Sequence, residues 1–364
     1  MTVRGLYVHV PFCAHRCGYC DFNTYVAPPP AWAAYTSAAV ADVAQAAGRW
    51  PGPVDSVFFG GGTPTVLPPS DLARILAAIR ECFGLAPGAE VTTEANPDSV
   101  DAAALHALRE AGFTRVSFGM QSAAQHVLET LDRRHTPGRA GQAAAEARAA
   151  GFDHVSLDLI YGTPGETNDD WRTSLDAVLD AAPDHASAYP LVVERGTALH
   201  ARVRRGALPE PDADAQAERY AMADAAFTGA GLGWYELFNW SRPGSECRHN
   251  LGYWRGDEWW GIGPGAHSHV GGRRWWNVKR PDEYARRLAQ DVSPEAGREE
   301  LGAPEQRMER LMLGLRLREG LVLDEPAHAA SLVADGLLEL HDDRAVLTDR
   351  GRLVADRVVL ALAG

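Results

Sequence analysis

Three cysteines lie within eight residues near the start of the chain, at Cys13, Cys17 and Cys20. The spacing C-x3-C-x2-C supplies three thiolates from one short segment and no fourth. A structural zinc site normally closes with four protein ligands, and a [4Fe-4S] cluster normally takes one thiolate per iron. Three thiolates therefore favour a [4Fe-4S] cluster with one iron left open. An open iron of this kind can bind and reductively cleave S-adenosylmethionine (SAM).

Two other interpretations of these cysteines stay open. His9 or His15 could complete a zinc knuckle, or the three thiols could be unrelated buried side chains. A disulfide framework is disfavoured, because five cysteines in 364 residues are sparse and odd in number. Cys82 is predicted to be a buried thiol on a helix, without a metal-binding role.

Composition and charge narrow the class of protein. Apolar residues make up 46% of the chain and charged residues 23%, which is ordinary for a globular protein. The net charge of −13 argues against binding to nucleic acid or to an anionic membrane. We find no pattern of a signal peptide or a transmembrane helix. With reduced thiols, these observations predict a cytoplasmic location, where peripheral contact with membrane-bound partners remains open.

Short apolar runs alternate with helical patterns through the first 230 residues. This alternation predicts parallel βαβ units, and hence an α/β fold in which six strands and six helices form a partial TIM-like (β/α)6 barrel. A doubly wound sheet is the alternative. Ligand-binding residues of such barrels lie at the carboxyl ends of the strands. The predicted strands are 6–10, 56–59, 90–94, 115–118, 154–159 and 186–191, and the clearest helices are 70–83, 100–111, 138–150 and 169–181.

The pattern predicts three domains. Residues 1–230 form the barrel, and residues 231–298 form an aromatic and glycine-rich region packed on it, which holds seven of the ten tryptophans. Residues 299–364 read as two helices followed by a short hairpin, which is typical of a small winged-helix-like domain. Residues 301–364 carry eight arginines and eleven acidic residues, so this domain lacks the basic character of a DNA reader.

Glycines and polar residues follow several predicted strands. Residues 60–64 read GGGTP, and three successive glycines let the backbone approach a ligand closely. No Gly-Lys-Ser/Thr follows, so this segment is not a P-loop. Glu94, at the end of the third strand, could accept hydrogen bonds from ribose hydroxyls or an amino group. A surface or helix-capping carboxylate is the alternative for Glu94.

The next two strands carry further candidates. Gln121 lies just past the fourth strand, and Arg133 could form a charge-assisted pair with the carboxylate of SAM. Asp158 is an acid inside an apolar strand, where an unpaired carboxylate is costly. A functional or hydrogen-bonding role is favoured for Asp158, and a structural ion pair is the alternative.

These motifs resemble the radical SAM superfamily, in particular its group of coproporphyrinogen III dehydrogenases and haem chaperones. The likeness covers nearly the whole chain and rests on YVHVPFC at 7–13, Tyr19, GGGTP at 60–64, GMQS at 119–122 and DLIYG at 158–162. The resemblance implies a radical SAM barrel with the cluster on the three cysteines and Tyr7 beside it. It implies that SAM is held by Gly61, Gly62, Thr63, Glu94, Gln121, Arg133 and Asp158, with Gly263 and Ala266 in a glycine-rich stretch next to it.

Three features resemble the haem-chaperone branch of this group. Asp21 and Phe22 follow Cys20 where the dehydrogenases have a further cysteine, and the cluster begins at residue 13 without their N-terminal extension. Residues 249–254 read HNLGYW, which matches the H-N-x-x-Y-W motif of the chaperones. The resemblance implies haem as cargo, delivered to apo-haemoproteins such as respiratory enzymes by a monomer or a dimer.

Two alternatives to the chaperone are kept. One is an oxygen-independent coproporphyrinogen III dehydrogenase, a radical SAM oxidative decarboxylase, so whether the chain is an enzyme stays open. The other is a pure binding module with a structural zinc.

The HNLGYW segment also carries candidate haem contacts. The imidazole of His249 could ligate haem iron. The alternative is an aromatic core in which this histidine is merely hydrogen-bonded. Flat apolar surfaces and cations for propionates come from Trp254, Trp259, Trp260, Arg248 and Arg255, and competing iron ligands are His267, His269 and Cys247.

Overall fold

The chain alternates strands and helices through its first half, as expected from the sequence. The structure is a computed structural model that describes residues 4–363. All six predicted strands are present, and each begins and ends within five residues of its prediction. The strands are β1 Gly5–Val10, β2 Val54–Gly61, β3 Leu85–Ala95, β4 Arg115–Gln121, β5 His154–Tyr161 and β6 His185–Pro190, and the helices are α1 Pro29–Arg49, α2 Pro69–Cys82, α3 Ala102–Ala111, α4 Gln125–Thr130, α5 Arg139–Ala149 and α6 Asn168–Asp180.

Strand order decides between the two α/β architectures. The strands β1 to β6 are parallel neighbours in the order in which they occur along the chain. A doubly wound sheet would reverse its strand order at a switch point, and this sheet does not. The fold is therefore the predicted partial barrel, in which all six carboxyl ends meet at one rim.

The helices lie on the outer side of the strands and bury one face there, because their apolar residues recur at helical intervals. In α2, the side chains of Leu72, Ile75, Leu76 and Ile79 recur at helical intervals and are all 0% exposed. The helix α6 begins with a capping box between Thr167 and Asp170, which satisfies free backbone N–H groups of its first turn. These helices hold the strands in register and so fix the rim.

Residues beyond the barrel extend the same sheet at both of its edges. Within residues 4–363 the sheet has twelve strands, in the order β12-β11-β10-β9-β1-β2-β3-β4-β5-β6-β8-β7. Segment 231–298 is therefore divided between the two edges, and its tryptophans pack at both. The added elements are α7 Ala198–Arg204, α8 Ala213–Gly229, β7 Gly233–Glu236, β8 Asn239–Ser241, α9 Arg248–Arg255, β9 Trp259–Ile262, β10 His267–Val270, β11 Arg273–Asn277, α10 Pro281–Ala289 and β12 Glu295–Glu300.

The C-terminal segment contains the expected helices and hairpin. A three-stranded antiparallel sheet in the order β13-β15-β14 packs with helices around its own apolar cluster, which includes Leu315, Leu332 and Val358. The division of the chain into three domains remains a prediction. The elements are α11 Ala303–Gly314, β13 Leu321–Val322, a 3-10 turn Pro326–Ala329, α12 Ala330–Ala334, β14 Leu338–His341, β15 Arg344–Leu347, α13 Asp349–Arg352 and α14 Ala355–Ala363.

No helix in the described part of the chain combines the length and apolarity needed to cross a membrane.

Candidate functional site

A cavity of about 580 Å³ opens at the carboxyl ends of the barrel strands. We call it the barrel cavity; its wall includes all three motif cysteines and the six polar or glycine residues Gly61, Gly62, Thr63, Glu94, Arg133 and Asp158, together with Gln121. The structure thus brings together residues that are up to 145 positions apart in the sequence. The order of the parallel strands contributes to this convergence, since Glu94 and Gln121 lie at the ends of β3 and β4 and Asp158 lies within β5, while Arg133 follows α4.

The cysteines lie in the loop between β1 and α1. One backbone hydrogen bond closes the loop on itself, from Cys13 N to Tyr25 O, and another ties it to the segment after α4, from Gly18 N to Leu131 O, both at 3.0 Å. Burial raises the pKa of the Cys13 thiol to about 11, although a hydrogen bond from Thr63 opposes the shift. A thiolate at this position therefore needs a cationic partner, and an iron ion is such a partner.

Two polar side chains face the cysteine sulfurs. Thr63 Oγ1 lies 3.8 Å from Cys13 Sγ, and Arg133 Nη1 lies 3.7 Å from Cys17 Sγ. Arg133 is held by a 2.7 Å hydrogen bond from Nη2 to the carbonyl oxygen of Gly119. Its Nε is buried without a hydrogen-bond partner among residues 4–363, so the guanidinium has donor capacity left for a ligand.

The glycine run has a steric requirement. Gly61 has a positive φ of 105°, and a Cβ there would lie 2.5 Å from the ring of His9. A Cβ at Gly62 would lie 2.4 Å from the carbonyl oxygen of Phe12. Both positions therefore admit only glycine, and the backbone of this run lies directly against the loop that carries the cysteines.

Glu94 is a half-buried residue whose carboxyl group has few partners. Its Oε2 accepts a 3.2 Å hydrogen bond from the backbone N–H of Gly61. Burial and the nearby Asp158 raise the pKa of Glu94 to about 8. A cationic or hydroxyl-bearing ligand in the cavity would supply the contacts that this carboxylate lacks.

Asp158 is satisfied by hydroxyl groups. Ser117 Oγ and Ser187 Oγ each donate to its carboxylate at 2.8 Å. Burial raises the pKa of Asp158, and the hydroxyls of Ser187, Ser117 and Ser156 oppose the shift. The structure thus places Asp158 in a hydrogen-bonding network on the cavity wall, as one of the interpretations expected.

Gln121 adopts an unusual backbone conformation. Its φ is 66°, which is uncommon for a residue other than glycine. The preceding Gly119 allows this turn, since a Cβ there would lie 2.7 Å from Gln121 Nε2 and 2.9 Å from Arg133 Nη2. Conformational strain of this kind clusters at ligand-binding sites.

The two histidines that could complete a zinc site have other partners. His9 Nδ1 is 3.0 Å from the hydroxyl of Tyr7, and its Nε2 is 3.0 Å from the carbonyl oxygen of Asn23. His15 Nε2 lies 3.3 Å from the carboxylate of Asp132. Tyr7 itself lines the barrel cavity.

Gly263 and Ala266 follow β9, the strand that pairs with β1. A Cβ at Gly263 would lie 2.5 Å from the carbonyl oxygen of His9, and its backbone N–H donates to Asp42 at 3.2 Å. Ala266 is 1% exposed. The structure places these two residues as support for the strand beside the cysteine loop.

The HNLGYW segment forms α9, which closes the inner end of the barrel cavity. His249 is buried, and its Nδ1 and Nε2 lie 2.9 Å from Ser56 Oγ and from the Tyr253 hydroxyl. Its ring stacks on Phe58 with a centroid distance of 5.2 Å. Burial lowers the pKa of His249 to about 4. Iron ligation by His249 would require the loss of one of these two hydrogen bonds.

The three candidate tryptophans have different surroundings. Trp260 is 8% exposed and packs in the core against Trp50 and Trp275. Trp259 donates from Nε1 to the carbonyl oxygen of His267 at 3.1 Å. Trp254 lines a different cavity on the other side of α9. Trp254 thus borders a cavity large enough for a small molecule.

A buried ion pair that was not expected from the sequence lies beneath α9. Glu90 accepts hydrogen bonds from Arg115 Nε and from the backbone N–H groups of Arg248 and His249, each at 3.2 Å. Burial alone would raise the pKa of Glu90, but Arg115 and these N–H groups lower it below its ordinary value. The sequence signal for this pair is that Glu90 and Arg115 are charged residues inside two predicted strands. Cys82 was predicted to be buried and is exposed, because it ends α2 on the outer face.

The comparisons with known proteins identify the family of the chain. The sequence model of the radical SAM superfamily matches residues 7–178. A Mycobacterium tuberculosis protein named Heme chaperone HemW is 54% identical to this chain, over 99% of this chain and 95% of that protein. The chain belongs to the radical SAM superfamily and, within it, to the HemW family. A Bacillus subtilis protein of the same name is 32% identical to this chain, over 100% of both chains.

A solved structure supports the fold. Coproporphyrinogen III oxidase (HemN) from Escherichia coli, a radical SAM enzyme, matches with a TM-score of 0.85 at 23% identity, over 99% of this chain and 90% of that one. Identity this low supports the architecture alone. Membership of the radical SAM superfamily implies SAM and a [4Fe-4S] cluster as cofactors, and the donors on the wall of the barrel cavity fit both.

Proposed function

We propose that this protein is a haem chaperone, which binds haem and delivers it to apo-haemoproteins and carries a SAM-liganded [4Fe-4S] cluster. The observation that carries the proposal is the HNLGYW helix forming a wall of the cavity that the three cysteines share with the other SAM-type motifs. The names of the curated relatives support the same function.

We assign a role to each of the motif residues on the wall of the barrel cavity. Cys13, Cys17 and Cys20 supply the three thiolates of the cluster. Arg133, with its unpartnered Nε, meets the carboxylate of SAM, and Glu94 accepts hydrogen bonds from its amino group or ribose. When bound, the cluster and SAM supply redox chemistry. The remaining residues bind, orient and enclose them.

The glycines and the serine network complete the pocket. Gly61 and Gly62 keep the backbone close to the cysteine loop, so that a ligand can lie against exposed peptide groups. The serines around Asp158 hold its carboxylate in one orientation. Tyr7 supports the loop through its hydrogen bond to His9.

The proposal also covers partners and location. Clients are apo-haemoproteins such as respiratory enzymes, approached by a monomer or a dimer in the cytoplasm. The five cysteines are all unpaired, which supports a reducing compartment. The acidic net charge supports a partner other than nucleic acid.

A haem titration tests the proposal. The anaerobically reconstituted protein is titrated with haem, and the Soret band is followed with coproporphyrin III as competitor. A saturable complex that resists the competitor is the expected result. Absence of a specific haem complex, combined with decarboxylation of coproporphyrinogen III under reducing anaerobic conditions, would replace the chaperone with the dehydrogenase.

A further inference from the structure

A second cavity of about 600 Å³ lies on the opposite side of α9 from the barrel cavity. Its wall is formed by the end of α9, the strands β9 and β10 with their turns, and the C-terminal helix α11. We call it the second cavity and define it by Trp254, Arg255, His269, Leu313 and Arg344. Its volume falls within the roughly 300–1,000 Å³ of pockets that hold cofactors and similar small molecules.

The helix α9 is a common wall of the two cavities. His249, Asn250 and Tyr253 line the barrel cavity, whereas Trp254 and Arg255 line the second cavity. Successive helical residues point about 100° apart, so one short helix can present side chains to both sides. The HNLGYW motif is therefore divided between two binding spaces.

Two ring nitrogens at the second cavity have unused hydrogen-bonding capacity. Trp254 Nε1 and His269 Nδ1 are both buried and have no hydrogen-bond partner within the described residues. The ring of His269 packs on Trp259 with a centroid distance of 5.1 Å, which holds it at the wall. Buried polar groups without partners are rare, and a ligand is one way to satisfy them.

The ring nitrogens of His249 and His269 differ in the hydrogen bonds that they already make. His249 has a partner at each ring nitrogen, Ser56 and Tyr253. The imidazole of His269 lines a cavity and has its Nδ1 unpaired in the described chain. Imidazole is a common axial ligand of haem iron.

The wall also carries charges of both signs. Glu319 is paired with Arg255 at 2.7 Å, Glu309 with Arg274, and Arg310 with Asp324 at 2.7 Å, while Glu258 accepts from the backbone of Gly271. Arg344 donates to the carbonyl oxygens of Glu319 and Gly320, each at 3.1 Å. Carbonyl partners leave the positive charge of Arg344 in place, so this guanidinium can meet a carboxylate of a ligand.

We infer that the second cavity is the haem site, with His269 as an axial iron ligand, Trp254 beside the porphyrin and Arg344 facing a propionate. This inference rests on the proposed function and specifies where the cargo lies. Haem and SAM then occupy separate spaces that share α9. Haem release then involves movement of the C-terminal unit, which carries α11 and Arg344, away from α9.

Three histidine variants test the inference in the anaerobically reconstituted full chain. His269→Ala is expected to bind haem at least about tenfold more weakly and to lose the spectroscopic signature of imidazole ligation, measured by Soret titration and electron paramagnetic resonance. Added imidazole restores that signature. His249→Ala is expected to keep it, and His341→Ala, at an exposed position of the same unit, serves as the matched control.

Cluster content and SAM binding are measured on the same samples. Both stay unchanged in His269→Ala, which shows that the variant folds. Wild-type haem affinity with an unchanged signature in His269→Ala would overturn the inference, and so would loss of the signature in His249→Ala. Failure of the wild-type protein to bind haem would instead refute the proposed function itself. Trp254→Phe, which removes the unpartnered N–H and keeps an aromatic ring at this position, is expected to weaken haem binding less than His269→Ala.

Discussion

The two cavities on either side of α9 are built in different ways. The barrel cavity takes most of its polar groups from neighbouring parallel strands, and hydrogen bonds orient several of them, as with Asp158 and its serines, whereas Arg133 Nε has no partner in the described chain. The second cavity forms where α9 meets α11, and its Trp254 and His269 have unpartnered ring nitrogens in the described chain. A binding site inside one fold is positioned by strand order, whereas a site between two packed units depends on how those units dock.

This difference predicts which ligand can leave. A ligand of the barrel cavity lies among the strands of a continuous sheet and beside the cysteine loop, which is hydrogen-bonded to Leu131. A ligand of the second cavity can be exposed by movement of one unit, because α11 and β15 belong to the C-terminal cluster. A resident cofactor suits the first arrangement and a transferable cargo suits the second.

The largest expected effect belongs to the barrel cavity. Cys17→Ala removes one of three thiolates and is expected to abolish stable cluster assembly, lowering bound iron about tenfold after anaerobic reconstitution. Iron, acid-labile sulfide and visible absorbance measure the change. Cys82→Ala is the matched control, since that thiol is exposed on α2. A full cluster in Cys17→Ala would remove this cysteine from the ligand set.

The next largest effect is expected at the buried ion pair beneath α9, the helix that forms a wall of both cavities. Glu90→Ala leaves the buried guanidinium of Arg115 without its carboxylate and removes the acceptor of two N–H groups at the start of α9. We expect the free energy of unfolding to fall by about 3–5 kcal/mol, because breaking a buried ion pair leaves an uncompensated charge. Urea unfolding measures this loss.

A matched surface pair supplies the control for Glu90. Glu110 pairs with His106 in an exposed helical position, and Glu110→Ala is expected to change stability by less than about 0.5 kcal/mol. Equal losses in the two variants would show that Glu90 does not anchor α9. The comparison of the cavities would then lose its common wall.

The barrel cavity is also expected to bind SAM in a pH-dependent way. The pKa of Glu94 is raised to about 8, so this carboxyl group is mostly protonated at pH 7. Binding that requires the carboxylate releases a proton, and SAM affinity therefore rises between about pH 6 and 7.5, by up to about tenfold per pH unit. Calorimetry in buffers of different ionisation enthalpy measures both affinity and proton release.

Replacement of the carboxyl group isolates its contribution. Glu94→Gln is expected to weaken SAM binding by roughly tenfold to a hundredfold at pH 7.5 and to flatten its pH dependence, since a charge-assisted hydrogen bond is lost. Glu110→Ala again serves as the control. An unchanged pH slope in Glu94→Gln would assign the titration to another group.

The barrel and its cavity could be predicted from the sequence because both follow from local patterns. Apolar runs locate the strands, parallel order brings their ends together, and glycines at Gly61 and Gly62 mark close approach of the backbone. The ion pair of Glu90 with Arg115 depends on which strands become neighbours, so it needed the structure. The same holds for the division of residues 231–298 between both edges of the sheet, since antiparallel pairing of β6 with β8 leaves no periodic trace in the sequence.

The smallest expected effect lies where the two units meet. Arg255 donates to both carboxylate oxygens of Glu319, at 2.8 and 2.7 Å, and so connects α9 to the C-terminal unit. The pair is partly exposed, so a double-mutant cycle of Arg255→Ala and Glu319→Ala is expected to give a coupling energy below about 1 kcal/mol. A weak contact of this kind adds little to the cost of opening the second cavity, and the buried ion pair of Arg352 with Asp224, at 2.8 Å, is the stronger link of the C-terminal unit to α8. A coupling of several kcal/mol would instead make the interface as rigid as the barrel and remove the difference between the two cavities.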